Sequence, residues 1–221
     1  TTGNSLNRAV YVEGDDVGED PSKNITVDGN IFTLKMSSCE INYDNWPDSI
    51  VYSDGILFYY CENVEFINNN VDLTYNSFDL GDYGYDTIYV VHVKSVTKMD
   101  WSTLMSDNIL IKNNTINALG HNDTYGIYVG ADNFEISDNK LNISSEIYHV
   151  GGINIAAPSS NGTVKNNDVT VNAKEAVYGI YSSQSGAMGP IEFMDYESNI
   201  VNANAYFACA MQIGECSANV T

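Results

Sequence analysis

The sequence predicts an all-β chain wound as a right-handed parallel β-helix of about six to seven coils, with loop insertions in its N-terminal half. Three observations carry that expectation. One pattern, Asn-apolar-x-apolar-x-x-Asn-x-apolar-x-apolar, occurs five times, as Asn24–Leu34, Asn63–Leu73, Asn108–Ala118, Asn133–Ile143 and Asn161–Val171. A short strand reading small-apolar-x-apolar recurs beside it: Ala9-Val10-Tyr11-Val12, Gly55-Ile56-Leu57-Phe58, Thr87-Ile88-Tyr89-Val90, Gly126-Ile127-Tyr128-Val129, Gly152-Ile153-Asn154-Ile155 and Gly179-Ile180-Tyr181-Ser182. From Ile127 to Ile153 is 26 residues and from Ile153 to Ile180 is 27, which accommodates three short strands and their corners, one turn of a solenoid.

Each element follows from its residues. Period-two alternation places Ile25, Val27, Phe32 and Leu34 on one side of their strands, and Phe134, Ile136, Leu141 and Ile143 likewise. The phase break at the polar corner turns both strands of a copy toward a common core. Coils stack about 4.8 Å apart, so like residues sit on like. The corner residues Asn30, Asn69, Asn114, Asn139 and Asn167 are therefore expected to adopt the left-handed conformation and to hydrogen-bond their equivalents above and below. A looser copy spans Pro190–Ala203. A two-sheet sandwich is the competing architecture. Wider steps, 32 residues from Ile56 to Ile88 and 39 from Ile88 to Ile127, imply insertions at 14–22, 36–53, 75–86 and 94–107; insertions of this kind usually carry function in repeat folds.

Composition narrows the function. The 221 residues read as a single domain, and 29 acids against 9 bases give a net charge of −20. A surface of that sign repels phosphate backbones and acidic lipids, which argues against nucleic-acid partners. No apolar run approaches the roughly eighteen residues of a membrane span, so no direct membrane insertion is expected. There are 28 Asn, 16 Tyr and one arginine, Arg8. The chain opens at Thr1 without a leader-like segment, shows no cap at either end and reads as part of a longer protein.

With Ile127 and Val129 pointing inward, Tyr128 points outward, and the same phase puts Tyr11, Tyr89 and Tyr181 on the outside of the equivalent strands, interrupted by Leu57 and Asn154. Such a tyrosine ladder stacks on sugar faces or packs on a protein partner, although strand tyrosines also serve stability alone. Trp46 and Trp101 lie in the insertions and join this surface if their loops reach it. Asp15, Asp16, Glu19 and Asp20 are weak calcium candidates, because their loop does not match the spaced twelve-residue calcium loop; otherwise no cofactor is expected. His92, His121 and His149 are too separated in the repeat to form a zinc site. Six glycosylation sequons, at Asn24, Asn113, Asn122, Asn142, Asn161 and Asn219, are compatible with an exported protein. The four cysteines permit local bridges, Cys39 with Cys61 and Cys209 with Cys216, or free thiols.

No paired-aspartate signature accompanies a basic segment, so catalysis is disfavoured; the competing reading is a polysaccharide lyase or glycoside hydrolase using insertion acids such as Asp79, Asp82 and Asp86. The repeats NILIKNNTINA and NFEISDNKLNI, with Gly-Ile-Tyr-Val between them, resemble the parallel β-helix repeats of the adhesin-like surface proteins of methanogenic archaea. The resemblance covers most of the chain from Val10 onward. It implies an extracellular, cell-surface module, binding and structural rather than catalytic, that attaches to a polysaccharide or protein on another cell through exposed aromatic and acidic surfaces. The family has no shared catalytic motif to carry over.

Overall fold

The computed structural model describes residues 8–15, 17, 19–37, 51–76, 86–97, 102–183, 190–214 and 216–221, and among these there is no helix. The first coil comprises β1 (Val10–Glu13), β2 (Ser22–Asp28) and β3 (Ile31–Ser37), and the second β4 (Val51–Tyr59), β5 (Cys61–Ile67) and β6 (Asn70–Asn76). In the third, β7 (Asp86–Lys94) is followed by an antiparallel pair, β8 (Val96–Thr97) and β9 (Thr103–Leu104), before β10 (Ser106–Lys112) and β11 (Thr115–Gly120). The fourth is β12 (Asp123–Val129), β13 (Ala131–Ser137) and β14 (Lys140–Ser145), and the fifth β15 (His149–Ala156), β16 (Ser159–Lys165) and β17 (Asp168–Asn172). The sixth is β18 (Ala176–Ser183), β19 (Ile191–Glu197) and β20 (Ile200–Asn204), and the seventh β21 (Phe207–Ile213) with β22 (Cys216–Val220).

Equivalent strands of successive coils pair in parallel, giving a first sheet β1-β4-β7-β12-β15-β18-β21, a second β2-β5-β10-β13-β16-β19-β22 and a third β3-β6-β11-β14-β17-β20. This is the parallel β-helix that the repeats predict; a sandwich would pair its strands antiparallel. One core column runs Val10, Ile56, Val91, Ile127, Ile153, Ile180, Met211. Its five inner members are fully buried while Val10 and Met211 are partly so, and complete burial of each such side chain contributes about 1.5–3 kcal/mol.

The register corrects one expectation. Val91, not Ile88, is the partner of Ile127 and Ile56. The stretch Ile88-Tyr89-Val90-Val91-His92-Val93 satisfies the alternation in either frame, and pairing settles it three residues later than the small-apolar-x-apolar motif does. Val90 consequently falls between the paired positions where Gly55 and Gly126 lie in the neighbouring coils. At the equivalent position Gly152, a Cβ would lie 2.4 Å from the Gly179 carbonyl oxygen and 2.4 Å from Val169 Cγ1, closer than real Cβ atoms come.

The corner between the second and third sheets holds the asparagine spine. Asn69 Nδ2 donates to Asn114 Oδ1 at 3.1 Å, Asn114 to Asn139 at 3.0 Å, Asn139 to Asn167 at 3.0 Å and Asn167 to Asn199 at 2.9 Å. Each of these side chains also accepts a backbone N–H from the preceding coil and donates to a carbonyl there; for Asn114 these are Asn69 N at 2.8 Å and the Phe66 carbonyl at 2.8 Å. Asn30 joins at the first coil, and Asn199, which lies in the looser copy, extends the spine beyond the five expected members. The left-handed conformation, however, belongs to the residue before: Gly29, Asn68, Asn113, Asp138, Asn166 and Ser198 have positive φ, and the spine residues do not. The spine amides are instead turned inward, where they satisfy the backbone of the bend. A second left-handed row comprises Asn24, Asn63, Asn108, Asn133 and Asn161, the opening asparagines of the five copies, continued by Phe193.

Candidate functional site

The outer face of the first sheet carries two columns of side chains. One runs Asp54, Tyr89, Tyr125, Gly151, Tyr178, and the other Tyr11, Leu57, His92, Tyr128, Asn154, Tyr181. Tyr89 thus belongs beside, rather than in, the ladder of Tyr11, Tyr128 and Tyr181, and His92 takes the position expected for Tyr89. Both changes follow from the frame of β7.

Parts of both columns line a groove of about 770 Å³ that runs from the first coil to Ala156 in the fifth and includes Arg8, Tyr11, Asp54, Tyr59, Tyr89, His92, Lys94 and Tyr128. At its centre the Asp54 carboxylate binds two partners, Arg8 Nε at 3.3 Å through Oδ2 and His92 Nδ1 at 2.7 Å through Oδ1. The Asp54 side chain is 6% exposed. A carboxylate so withdrawn from water requires such partners, and without the Arg8 cation its charge would be buried beside a neutral donor only.

Aromatic rings enclose the pair. Tyr89 lies 4.4 Å from the His92 ring and 5.3 Å from Tyr125, on which it stacks, while Tyr128 meets both Tyr89 (4.8 Å) and His92 (5.1 Å) edge-on. The Arg8 guanidinium sits over Tyr11 at 4.3 Å, and the Lys94 ammonium over Tyr59 at 5.7 Å. Burial pushes His92 below the ordinary imidazole range, against the upward pull of Asp54. The neutral ring gives its Nδ1 proton to the carboxylate and keeps the lone pair on Nε2. Burial, with Glu13 beside it, pushes the Tyr11 phenol up to about 12, and burial, with Asp123 nearby, also raises Tyr125. Tyr11 and Tyr125 therefore act at neutral pH as uncharged rings with hydroxyl groups.

Of the tyrosines singled out by the sequence, Tyr11, Tyr89 and Tyr128 come together in the groove. Tyr181 packs instead on Tyr178 at 5.1 Å, beyond Asn154. Trp46, Trp101, Asp16, Asp79 and Asp82 lie outside the described residues, and so does the side chain of Asp86. Asp15 and Asp20 close a small hairpin through reciprocal backbone bonds of 2.9 and 3.0 Å, and the Glu19 carbonyl accepts the Tyr60 hydroxyl at 3.1 Å. Among the described residues, no three His, Cys, Asp or Glu side chains are placed to hold a metal ion. Each histidine is paired with an acid in its own place, His121 with Glu146 at 2.7 Å and His149 with Asp123 at 3.1 Å. Among the described residues Cys61 and Cys209 are free thiols, while Cys39 and the side chain of Cys216, their expected partners, lie outside the described residues.

Arg8, Asp54 and His92 were not marked as site residues by the sequence. The signal that would have found them is the register, since His92 enters the tyrosine column only once Val91 is aligned with Ile127. No protein-family model, no curated protein and no solved structure matches this chain.

Proposed function

We propose that the chain is an adhesin-like module of a cell surface that binds polysaccharide along the first sheet, with the groove of Tyr11, Tyr89 and Tyr128 as the binding site. The observation that carries this reading is the groove's composition: uncharged aromatic faces beside a fixed Arg8–Asp54–His92 network. Sugar rings present an apolar face that stacks on tyrosine and hydroxyl groups that pair with planar, oriented polar side chains. The tyrosines, Asp54 and His92 stand on hydrogen-bonded strands of adjacent coils, a placement that limits the ordering cost of binding. The extracellular setting, and a polysaccharide or protein on another cell as the partner, rest on the sequence resemblance to the methanogen adhesin-like proteins and on the charge of −20.

Affinity electrophoresis in gels containing surface polysaccharides tests it. Tyr128→Ala is expected to weaken retardation about threefold to tenfold, the value of one aromatic stacking contact, whereas Tyr181→Ala, outside the groove, leaves it unchanged. Equal loss in both, or in neither, would remove the groove as the site.

A further inference from the structure

The groove contains more than a sugar-stacking surface needs. We propose that His92, oriented by Asp54, is a general base, and that the groove takes a uronate-bearing glycan and cleaves it by elimination. This inference rests on the preceding reading that the groove binds glycan, and goes beyond it in substrate class and activity. The arrangement is that of an oriented proton acceptor: one imidazole nitrogen is fixed to a carboxylate at 2.7 Å, and the ring lines an open groove. Burial lowers the proton affinity of His92, so the ring is unprotonated near neutral pH and its free nitrogen is available as an acceptor.

Cations select the substrate. The chain has nine Lys and Arg residues against 29 acids, yet its single arginine, Arg8, and Lys94 both line this groove. Arg8 gives its Nε–H to Asp54, and a guanidinium carries further donors in the same fork. Removal of the proton α to a sugar carboxylate places negative charge on that carboxylate, which is where a guanidinium and an ammonium lower the barrier. Glycoside hydrolysis requires instead a protonated carboxylic acid and a second carboxylate; of the two carboxylates lining the groove, Asp54 is committed to two cationic or donor partners and Glu13 stands beside Tyr11.

The bonds balance without a cofactor. His92 Nε2 takes the C5 proton of the uronate, the released pair forms the C4=C5 double bond, and the C4–O bond breaks. The departing glycosidic oxygen takes a proton from the Tyr128 hydroxyl, one coil from His92 in the same column. Water reprotonates Tyr128 and receives the proton from His92.

The test uses the full chain with alginate and polygalacturonate as acidic probes and a neutral β-glucan as control, following ultraviolet absorbance of the new double bond alongside affinity electrophoresis. Expected is double-bond formation on an acidic probe only, with a rate that falls on the acid side as His92 is protonated; Asp54, Glu13, Arg8, Lys94, Tyr89 and Tyr128 are the ionisable neighbours that set that limb. His92→Gln should lose about a hundredfold or more in rate, the usual value of a general base, while retaining the probe in the gel and an unchanged circular dichroism spectrum. Tyr128→Phe, a gentler change, should lower kcat more than it raises KM. An acidic probe that is retarded but never gains a double bond overturns the elimination and leaves the binding site standing. Retardation of no probe overturns both, and so does not resemble the first failure. Wild-type rates in His92→Gln would also overturn the role of His92.

Discussion

The corner between the second and third sheets and the outer face of the first sheet are made by the same repeat, and they use it in opposite ways. At the corner the same residue recurs coil after coil, and the bonds from Asn69 through Asn199 are nearly copies of one another. On the outer face no residue type fills a column: Tyr11, Leu57, His92, Tyr128 and Asn154 follow in succession. Where identical residues stack, each satisfies the next and the result is stability. Where they differ, one coil's carboxylate can meet the next coil's imidazole, as Asp54 meets His92, and chemistry becomes available. Within a solenoid the departures from the repeat, more than the repeat, are the place to search for function.

The sharpest way to break this comparison is to remove a spine member. Asn114→Ala would delete the acceptor of Asn69 N–H and the donors to Phe66 O and Asn139 Oδ1, in a residue 1% exposed. Several buried polar groups left unmatched cost about 3–5 kcal/mol, to be seen as a fall in the urea midpoint. Asn30→Ala, on the exposed first coil, should cost under about 1 kcal/mol. Equal losses would mean that the spine is not a cooperative ladder. Next in size is Gly152→Ala, whose methyl meets the Gly179 carbonyl and Val169; overpacking of this kind costs about 1–3 kcal/mol, and the same midpoint reads it. Tyr128→Ala should leave that midpoint closer to wild type than either, its main effect being on binding.

The same contrast explains what could be read from the sequence. Repetition is what a sequence displays best, so the coils, the inward residues such as Ile136 and Ile143, and the five asparagines were all legible. Asn199 escaped because its copy, IEFMDYESNIVNA, lacks an opening asparagine, with Phe193 in its place. The frame of β7 was ambiguous because five apolar or aromatic residues surround His92, and periodicity alone assigns no register to such a run. The Asp54–His92 contact joins strands whose partners are 38 residues apart; only the pairing of β4 with β7 brings them together. The left-handed corner was misplaced by one residue because Asn suits both roles, bending the chain at Asn68 and bonding across it at Asn69.

The finest separation between the two regions is by pH. In the folded protein His92 binds its proton less readily than the unfolded chain does, because burial outweighs the pull of Asp54. Between that depressed value and the ordinary one near 6.5, the unfolded chain carries more protons, so stability rises with pH across this window. The stabilisation is in place above the ordinary value and is lost as pH falls through it, until His92 is protonated in the folded state as well. The titratable and charged groups around His92, namely Asp54, Glu13, Arg8, Lys94, Tyr89 and Tyr128, remain in His92→Gln, so the difference between the two urea-midpoint profiles from pH 7 to pH 5 reports on the imidazole. His92→Gln should have the flatter profile. Asn114→Ala, which removes no titrating group, should lower the whole profile while keeping the wild-type slope. Parallel profiles for wild type and His92→Gln would show that the groove imidazole is as free to charge as one in solution, and the distinction drawn between an uncharged spine and a charge-bearing face would lose its electrostatic half.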